Sequence, residues 1–506
     1  MTQHLSASWR LVCLCVVLVV AACGGGGGGD ATVAPSDPPT PVVSPDPGTP
    51  APASTNRIEP LDLGLPKAAV ATSTLPLLRS GASVPATVRL GPLATTQVLV
   101  KTATAQTVKD TGVPRQIGVA RSVRATATPQ ATLAQLQWTP IDGGLQRAAI
   151  SFTAEGALGV RVGLLVRSLP PDTTLRFYAQ AGGLPVQVSG EDVLRTIQRN
   201  LDAGDTGNAA RTYWSPDFGG AETTLELELP VSANLAELDM AVPVISHFVL
   251  SPAEAAAPTV TKVGEAGTCN IDVSCKPELS SESRSVARMI FVRDGNSYLC
   301  TGTLLNDSQS STTPYFLSAN HCVSSQSVAS SLTTDWFYRS TACNSGSLNP
   351  ATQRVTGGAS LLYADAATDT SFMRLNSAAP QGVVYAGSYF GDVAQSASVI
   401  GIHHPSGDLQ KASAGAVAQF SNCSNEQCLA STQQDGRFLS VGWTQGTTEG
   451  GSSGSGLFLG IGSSRYVVGQ LYGGSSSCLA PAGRDYYGRF DVAFRSALKQ
   501  WLKPGA

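Results

Sequence analysis

The chain has 506 residues, a length that favours two folded units joined by linkers over one small core. Lysine and arginine total 33, aspartate and glutamate total 36, and the formal net charge is −3. Charged residues make up 14% of the sequence without basic clusters, so the composition argues against a nucleic-acid-binding surface. Short apolar runs bounded by glycine, serine and threonine predict mainly β structure.

The N-terminus predicts export. Arg10 precedes an apolar run from Leu11 to Ala22, which is too short to span a membrane and is typical of a signal peptide. The run ends in Val20-Ala21-Ala22-Cys23, which resembles the cleavage box of bacterial lipoproteins. This resemblance implies removal of residues 1–22 and lipidation of Cys23, with a lipid anchor as the chain's contact with the cell envelope. The alternative is an ordinary signal peptide cut near the same alanines.

Low-complexity segments divide the rest of the chain. Residues 23–59 contain six consecutive glycines and a proline-rich stretch that cannot bury enough apolar surface to fold, which predicts a tether. Residues 251–262 form a second linker, rich in proline and alanine. Between the two linkers we expect an accessory domain at residues 60–250, and a second domain, which carries eight of the cysteines, follows at residues 263–506.

Alternating apolar and polar residues in the accessory region predict half-buried strands and a β-sandwich-like domain. The spacing of Leu194, Ile197 and Leu201 predicts one helix around Glu191 to Leu201. We interpret the region's single histidine, His247, as structural. The strands expected most clearly are Ala86–Leu90, Gln97–Val100 and Thr224–Leu229.

Eight of the eleven cysteines lie in the second half of the chain, and an even set confined to one domain predicts disulfides formed in an oxidising compartment. A zinc site is the alternative, but paired Cys-x-x-Cys and His-x-x-x-His spacings are missing. We therefore expect no metal and no cofactor. The eight residues are Cys269, Cys275, Cys300, Cys322, Cys343, Cys423, Cys428 and Cys478.

Three segments of the second half suggest nucleophilic catalysis. An apolar strand runs into His321, Asp369 stands at the head of another apolar strand, and Ser453 lies in a glycine- and serine-rich loop. A serine hydroxyl needs an imidazole to accept its proton and a carboxylate to orient that imidazole. It also needs backbone N–H groups for the developing oxyanion, and Gly451 and Ser453 are the predicted donors.

The order His, Asp, Ser along the chain is that of chymotrypsin-like double β-barrels. An α/β-hydrolase would need a histidine after Ser453, and none follows. A subtilisin-like order with Asp369, His403 and Ser453 is formally possible, but the long amphipathic helices of that fold are missing. Asp365 competes with Asp369 for the carboxylate role, yet only Asp369 directly precedes the apolar strand. We interpret His403 and His404 as structural.

Ordered motifs from about Gly267 to Trp501 resemble the bacterial lysyl endopeptidases, a branch of the chymotrypsin-like family. The resemblance implies hydrolysis of peptide or protein substrates after lysine, with arginine as the alternative, and a substrate-binding carboxylate at Asp485. It also makes the accessory domain the counterpart of the family's pro-region. The matching motifs are Cys269-Asn270-Ile271-Asp272-Val273-Ser274-Cys275, Cys300-Thr301-Gly302, His321-Cys322, Ile402-His403-His404-Pro405, Gly451-Ser452-Ser453-Gly454-Ser455, Gly469-Gln470-Leu471 and Asp485-Tyr486-Tyr487-Gly488-Arg489.

Three positions depart from the family pattern. Asn320 stands where alanine or histidine is usual, Gly456 where proline is common, and Tyr472 where histidine is expected. Tyr472 bears on the fine shape of the substrate cleft. Ser452 replaces the aspartate with which animal trypsins bind their freed N-terminus, so we expect no activation by that salt bridge.

By resemblance, the disulfides are Cys269–Cys478, Cys275–Cys343 and Cys300–Cys322. The fourth, Cys423–Cys428, follows by elimination and short spacing. An apolar pattern from Asp491 to Leu502 predicts a C-terminal helix packed on the barrels.

Other functions remain open at this point. The chain could be a catalytically silent, protease-fold surface lipoprotein that binds a partner, or an esterase using the same triad. Under the protease hypothesis, Lys262 lies seven positions before Cys269, where self-cleavage would leave Val263 as the new terminus and free the catalytic domain outside the cell.

Overall fold

The computed structural model describes residues 56–64, 85–93, 112–250, 266–425 and 427–505. The predicted signal peptide, Cys23, the strand expected at Gln97–Val100, Lys262 and Val263 lie outside these residues. No helix in the described part of the chain is long and apolar enough to cross a membrane.

The first half contains the strands expected from its alternating pattern. The predicted strand Ala86–Leu90 is present with those bounds, and Thr224–Leu229 lies inside a longer strand. The strands are β1 Arg57–Ile58, β2 Leu61–Asp62, β3 Ala86–Leu90, β4 Arg115–Gln116, β5 Gly118–Ser122, β6 Thr139–Ile141, β7 Leu145–Ala154, β8 Val160–Ser168, β9 Thr174–Tyr178, β10 Val186–Ser189, β11 Thr212–Trp214, β12 Glu222–Pro230 and β13 Asp239–Phe248.

Two sheets form the accessory domain as a sandwich. One has the order β10-β9-β12-β7-β3 with β6 beside β7, and the other has the order β11-β8-β13-β5. On β12, Leu225, Leu227 and Leu229 are fully buried in the core between the sheets. The alternate residue Glu226 pairs on the other face with Arg176 of β9. Because successive side chains of a strand point to opposite faces, the alternation places apolar residues inside and an arginine–glutamate ladder outside.

Short helices complete this half. The predicted helix is α2, which begins after Ser189, whose Oγ accepts a hydrogen bond from the Asp192 N–H. Val193 and Ile197 on its inner face are buried in the sandwich core. The helices of this half are α1 Pro129–Leu133, α2 Gly190–Asp202 and α3 Gly207–Ala210, and 3₁₀ turns lie at Arg124–Thr126 and Leu235–Glu237.

The described part of the second half contains β14 to β30 and five short helical elements before the C-terminal helix. Its strands are β14 Ile271–Asp272, β15 Val286–Arg293, β16 Asn296–Leu305, β17 Tyr315–Ala319, β18 Thr333–Trp336, β19 Gln353–Val355, β20 Ala359–Asp365, β21 Thr370–Leu375, β22 Val384–Tyr385, β23 Gly387–Tyr389, β24 Ser398–His403, β25 Lys411–Ser424, β26 Gln427–Ser431, β27 Phe438–Gln445, β28 Gly456–Ile461, β29 Ser464–Gly474 and β30 Arg484–Arg489. The short elements are α4 Ser280–Ser283, α5 Gln326–Ser330 and 3₁₀ turns at Val273–Cys275, Pro277–Leu279 and Pro405–Gly407.

These strands form two curved antiparallel sheets. The first follows the order β19-β18-β15-β16-β17-β21-β20. In the second, the order β29-β28-β24-β25-β27-β30 is closed by pairing of β30 with β29, which makes a six-stranded barrel. The predicted all-β class with two barrel-like sheets after a sandwich is confirmed, and closure removes exposed edges from the second barrel.

The predicted C-terminal helix is present between Phe490 and Leu502. It consists of α6 Phe490–Ala493, a π-helical turn Phe494–Leu498 and α7 Lys499–Leu502. Leu498 and Leu502 are fully buried, and the Phe494 ring stacks on Phe390 with centroids 3.8 Å apart. The helix therefore packs into a core that residues of both sheets share, as the apolar spacing predicts.

Backbone pairing joins the two halves directly. Arg57–Ile58 lies inside the range predicted as a tether, yet it forms β1 and pairs with β23 of the catalytic half. The tether therefore ends earlier than residue 59. Farther along, β4 pairs with β16, and Ile117 and Phe248 pack against Ile290 and Leu299.

Buried charges also cross between the halves. Arg354 of β19 contacts Asp217 at 3.0 Å and Asp335 at 2.7 Å. Arg161, fully buried in the sandwich, donates to the backbone oxygens of Ser215 and Ser331. Burial lowers the pKa of Arg161 to about 10, because desolvation disfavours the charged guanidinium. The accessory and catalytic halves thus share an interior with charged as well as apolar contacts.

Candidate active site

Sheet pairing brings His321 and Asp369 together. The last residue of β17, Ala319, pairs with the first of β21, Thr370, so the residues just beyond meet at one sheet edge. The His321 N–H donates to Asp369 Oδ1 at 2.9 Å, and His321 Nδ1 lies 2.8 Å from Asp369 Oδ2. A carboxylate on Nδ1 fixes the tautomer in which Nε2 is the acceptor. Within the described residues, His321 Nε2 is buried and has no hydrogen-bond partner.

Asp369 occupies an unusual backbone conformation. Its φ of 50° lies in the left-handed region, which costs a non-glycine residue about 1–3 kcal/mol unless surrounding contacts impose it. Gln470 of β29 supplies such contacts, because its Nε2 donates to the carbonyl oxygens of Thr368 and Asp369 at 2.9 and 3.3 Å. Sequence reasoning found Gln470 only as part of a family motif and assigned it no role.

The loop of Gly451 and Ser453 is fixed by Thr301 of β16. The Thr301 Oγ1 donates to the Gly451 carbonyl at 2.9 Å, and the Thr301 N–H donates to the Ser453 carbonyl at 2.8 Å. Among the described residues, neither the Gly451 nor the Ser453 N–H donates a hydrogen bond. Gly451 has φ 99°, and a Cβ there would lie 3.0 Å from the His404 oxygen. Glycine is required, and the peptide orientation leaves both amides available for an oxyanion.

Contacts from both barrels place this loop beside His321. Cys300, next to Thr301, is bonded to Cys322, next to His321. On the other side, the Gly454 N–H donates to the Leu471 oxygen, and the following Tyr472 ring packs edge-on to His321 with centroids 5.9 Å apart. Catalytic hydrogen bonds are often long without substrate, so the unpartnered Nε2 is compatible with a base facing Ser453.

Asp485 is a fully buried carboxylate on β30. Its Oδ2 accepts hydrogen bonds from Trp443 Nε1 and Thr448 Oγ1, each at 2.7 Å, and from Ser476 Oγ. A Cβ at Gly474 would lie 2.7 Å from Asp485 Oδ1, so a side chain there would collide with the carboxylate. Asp485 is therefore an interior residue and not part of an exposed turn, and the nearby Arg489 pairs with Asp491. Thr448 lies shortly before the loop of Ser453, and Gly474 lies shortly after Tyr472, so Asp485 adjoins both of these segments.

The competing candidates lie elsewhere. Asp365 accepts hydrogen bonds from the Ala367 N–H and Thr368 Oγ1 within its own turn. His403 contacts Ser452 and Ser413, not Asp369, so the subtilisin-like assignment fails. His404 is fully buried, its Nδ1 contacts the Asp408 oxygen, and burial lowers its pKa to about 3.

Cysteines of the catalytic half form the same four pairs that were expected, Cys269–Cys478, Cys275–Cys343, Cys300–Cys322 and Cys423–Cys428. Cys300, His321 and Cys322 place potential metal-ligand atoms within 4.8 Å of one another. Because the two sulfurs are bonded to each other, they are not thiolates and do not form a zinc site.

A segment of the accessory half crosses the cleft. The Gly112 N–H donates to the Tyr472 oxygen at 3.1 Å, and Arg115 and Gln116 pair with Leu299 and Tyr298. A Cβ at Gly450 would lie 3.8 Å from Arg115 Cβ, which places Arg115 beside the loop of Ser453. The segment from Gly112 to Gln116 therefore runs from Tyr472 of β29 to the edge of β16, across the candidate site.

Comparisons with known proteins agree along both halves. A family model described as the C-terminal domain of lysyl endopeptidase matches residues 263–488, and one described as the lysyl endopeptidase N-terminal domain matches residues 89–249. A lysyl endopeptidase of Pseudomonas aeruginosa is 34% identical over 411 residues, covering 78% of this chain and 82% of the relative.

Two solved structures show weaker likeness. A protease of M. tuberculosis in its active form aligns with TM-score 0.29 and 14% identity over 48% of this chain and 92% of its own. The MamO protease domain of Magnetospirillum magneticum aligns with TM-score 0.30 and 9% identity over 43% of this chain and 97% of its own. At these scores neither alignment bears on function.

Proposed function

Because the chain belongs to the lysyl endopeptidase family and is a protease, we propose that it is a serine endopeptidase acting after lysine through an acyl-enzyme on Ser453. The observation that carries the proposal is the His321–Asp369 pair, joined at 2.8 Å and adjoining the loop that Thr301 fixes around Ser453. The two barrels supply the base and the nucleophile from opposite sides of one cleft.

In this mechanism Ser453 Oγ attacks the substrate carbonyl carbon while its proton passes to His321 Nε2. Asp369 stabilises the imidazolium through Nδ1, and the N–H groups of Gly451 and Ser453 stabilise the oxyanion. His321 then returns the proton to the leaving amine, which breaks the peptide bond and leaves an ester on Ser453. Water activated by His321 hydrolyses that ester.

We propose Asp485 as the determinant of the basic residue before the cut bond. Its burial and the three donors on Oδ2 fix the side chain in the cleft interior, where its carboxylate would pair with a substrate cation. Preference for lysine over arginine follows from family membership and is tested by comparing the two substrates.

We further propose that residues 60–250 act as a pro-region. The crossing segment Gly112–Gln116 supports this, because it covers the cleft and contains no lysine at which the enzyme could cut. Cleavage after Lys262 would free the catalytic half. An exported chain would be anchored through lipid on Cys23, and the four disulfides fit an oxidising compartment. Labelling with a radioactive fatty acid, lost in Cys23→Ser, tests the anchor.

The decisive experiment compares the wild-type chain with Ser453→Ala and the control Asp365→Asn. We expect peptidase activity and fluorophosphonate labelling in wild type and in Asp365→Asn, and neither in Ser453→Ala. N-terminal sequencing of the same samples should find Val263 in the active proteins and an uncut linker in Ser453→Ala. Full peptidase activity in Ser453→Ala would show that the nucleophile lies elsewhere.

A further inference from the structure

The residue directly before the proposed nucleophile is held by a buried histidine. His403 ends β24 and is fully buried. Its Nδ1 lies 2.9 Å from Ser452 Oγ, and its Nε2 lies 3.0 Å from Ser413 Oγ. The serine mechanism proposed above makes no use of this imidazole.

Hydrogen-bond directions in this cluster follow from its two ends. Ser413 Oγ donates to the Thr447 carbonyl at 2.6 Å, so it must accept its bond from His403 Nε2–H. In a neutral ring His403 Nδ1 is then the acceptor, and Ser452 Oγ–H donates to it. Ser452 Oγ in turn accepts from the Glu449 N–H at 3.2 Å.

The chain of hydrogen bonds begins and ends on the same loop. It runs from the Glu449 N–H through Ser452, His403 and Ser413 to the Thr447 oxygen. These bonds hold Thr447 and Glu449, the two ends of a three-residue stretch that lies just before Gly450 and Gly451. A displacement of about 1 Å in a group that acts on the transition state costs about 100-fold in rate.

We propose that His403 is a positioning residue that acts through Ser452 to aim the Gly451 and Ser453 N–H groups at the oxyanion. This inference rests on the proposed serine mechanism. The cluster holds the two N–H donors in place before substrate binds. Animal trypsins, which have aspartate in place of Ser452, depend instead on a freed N-terminus. The pocket at Asp485 adjoins the cluster, because Thr448 of the same stretch donates to Asp485 at 2.7 Å. The role proposed for His403 concerns the oxyanion donors and not this carboxylate.

Each protein is expressed as the full chain and assayed after maturation. The variants are Ser452→Ala, His403→Leu, His403→Gln and the double variant Ser452→Ala/His403→Leu. Ser421→Ala is the matched control, because Ser421 is also a buried serine on β25 and its Oγ has no hydrogen-bond partner among the described residues. We expect kcat on a lysyl amide to fall about 10- to 100-fold in Ser452→Ala and His403→Leu, with KM unchanged. The double variant should lose no more than either single variant, because both remove one link.

Two inhibitors separate positioning from general damage. Affinity for a peptide aldehyde ending in lysine, which forms a tetrahedral adduct in the oxyanion site, should fall in step with kcat. Affinity for n-butylamine, which mimics the lysine side chain and does not reach the oxyanion site, should fall much less than affinity for the aldehyde. His403→Gln keeps one acceptor and one donor and should retain more activity than His403→Leu.

The proposal is overturned if kcat in Ser452→Ala and His403→Leu equals that of Ser421→Ala. It is equally overturned if aldehyde and butylamine affinities fall together, which would indicate a disordered site. A wild-type protein that cleaves peptides without fluorophosphonate labelling would instead refute the serine mechanism, and with it the need for an oxyanion clamp.

Discussion

Asp485 is fully buried and accepts three hydrogen bonds on one oxygen, so side chains from elsewhere in the second barrel determine its surroundings. Its position in the interior follows from β30, whose alternate residues face the barrel core. The sequence indicated Asp485 through a motif, but its donors Trp443, Thr448 and Ser476 are spread over 34 residues and could not be predicted. Local pattern identifies a charged residue, whereas its partners depend on tertiary packing.

We expect Asp485→Asn to lower kcat/KM for cleavage after lysine by at least 100-fold, since removing one member of a buried ion pair costs about 3–5 kcal/mol. Cleavage of an ester with an apolar residue at the same position should change little. Asp307→Asn is the matched control, because Asp307 is also buried and accepts from Gln309 and Ser311. Equal losses on both substrates would contradict the pocket assignment.

Because His404 is buried with a lowered pKa, we expect the free energy of unfolding to decrease in acid. Burial lowers its folded pKa to about 3 from an ordinary value of 6.5, so the unfolded chain binds the proton more readily between these values. Its contribution to stability is therefore complete above pH 6.5 and decreases as pH falls toward 3, by about 2 kcal/mol between pH 7 and pH 5.

The measurement is urea denaturation at pH 7 and pH 5 in the Ser453→Ala background, which prevents self-digestion. His404→Gln removes the titrating group, so its free energy of unfolding should fall about 2 kcal/mol less than that of the parent between the two pH values. Identical pH dependence in the two proteins would show that His404 is not responsible.

At the scale of elements, sequence patterns predicted those whose periodicity is local. The strand Ala86–Leu90, the helix Gly190–Asp202 and the C-terminal helix follow from alternation or helical spacing. The two-residue strand β4 was not predicted, because two residues carry no period and the partner β16 lies about 180 positions away. Contacts of this kind gain their stability from tertiary packing and not from intrinsic propensity.

The crossing segment should limit activity before maturation. Gly112 has φ 73°, and a Cβ there would lie 2.6 Å from the Tyr472 ring. In a Lys262→Ala background that blocks the proposed cut, Gly112→Ala should raise activity on a small lysyl substrate several-fold, because the segment would be pushed out of the cleft. Gly156→Ala is the control, since Gly156 has φ 76° with nothing within 4 Å of a Cβ. Equal activity in the two variants would remove the segment as the inhibitory element.

At the scale of the whole molecule, the sequence predicted a sandwich and a catalytic domain of two barrels, and it did not predict how closely they join. The cross-domain ion pair Arg354–Asp217 links residues 137 positions apart, and isolated charged residues carry no sign of their partners. The tether also ends earlier than composition suggested, because pairing with β23 orders Arg57–Ile58 despite the low-complexity residues before it.

Asp217→Asn should weaken the hold of the accessory half. The pair with Arg354 is partly buried, so its loss should weaken association of the two halves by about 3 kcal/mol. This value is at the low end for buried pairs because Arg354 still pairs with Asp335. Gel filtration after cutting the linker of Ser453→Ala protein with added active enzyme measures co-elution of the halves. Asp239→Asn, which breaks an exposed pair with Arg167, should leave co-elution unchanged. Equal co-elution in both variants would contradict a role for the buried charges.

The use of arginine in the arginine–glutamate ladder of the sandwich bears on whether the enzyme can digest copies of itself. Between Gly112 and Leu250 the sequence contains ten arginines and no lysine, so the ion pairs of this domain rely on arginine alone. A lysine-directed enzyme finds no cleavage point anywhere in that stretch, folded or unfolded, whereas an arginine-directed enzyme would find ten. The catalytic half is nearly as poor, and two of its four lysines, Lys276 and Lys503, directly precede proline. If the enzyme cuts after lysine, as proposed, the use of arginine in these ion pairs leaves few positions at which one copy of the enzyme could cut another.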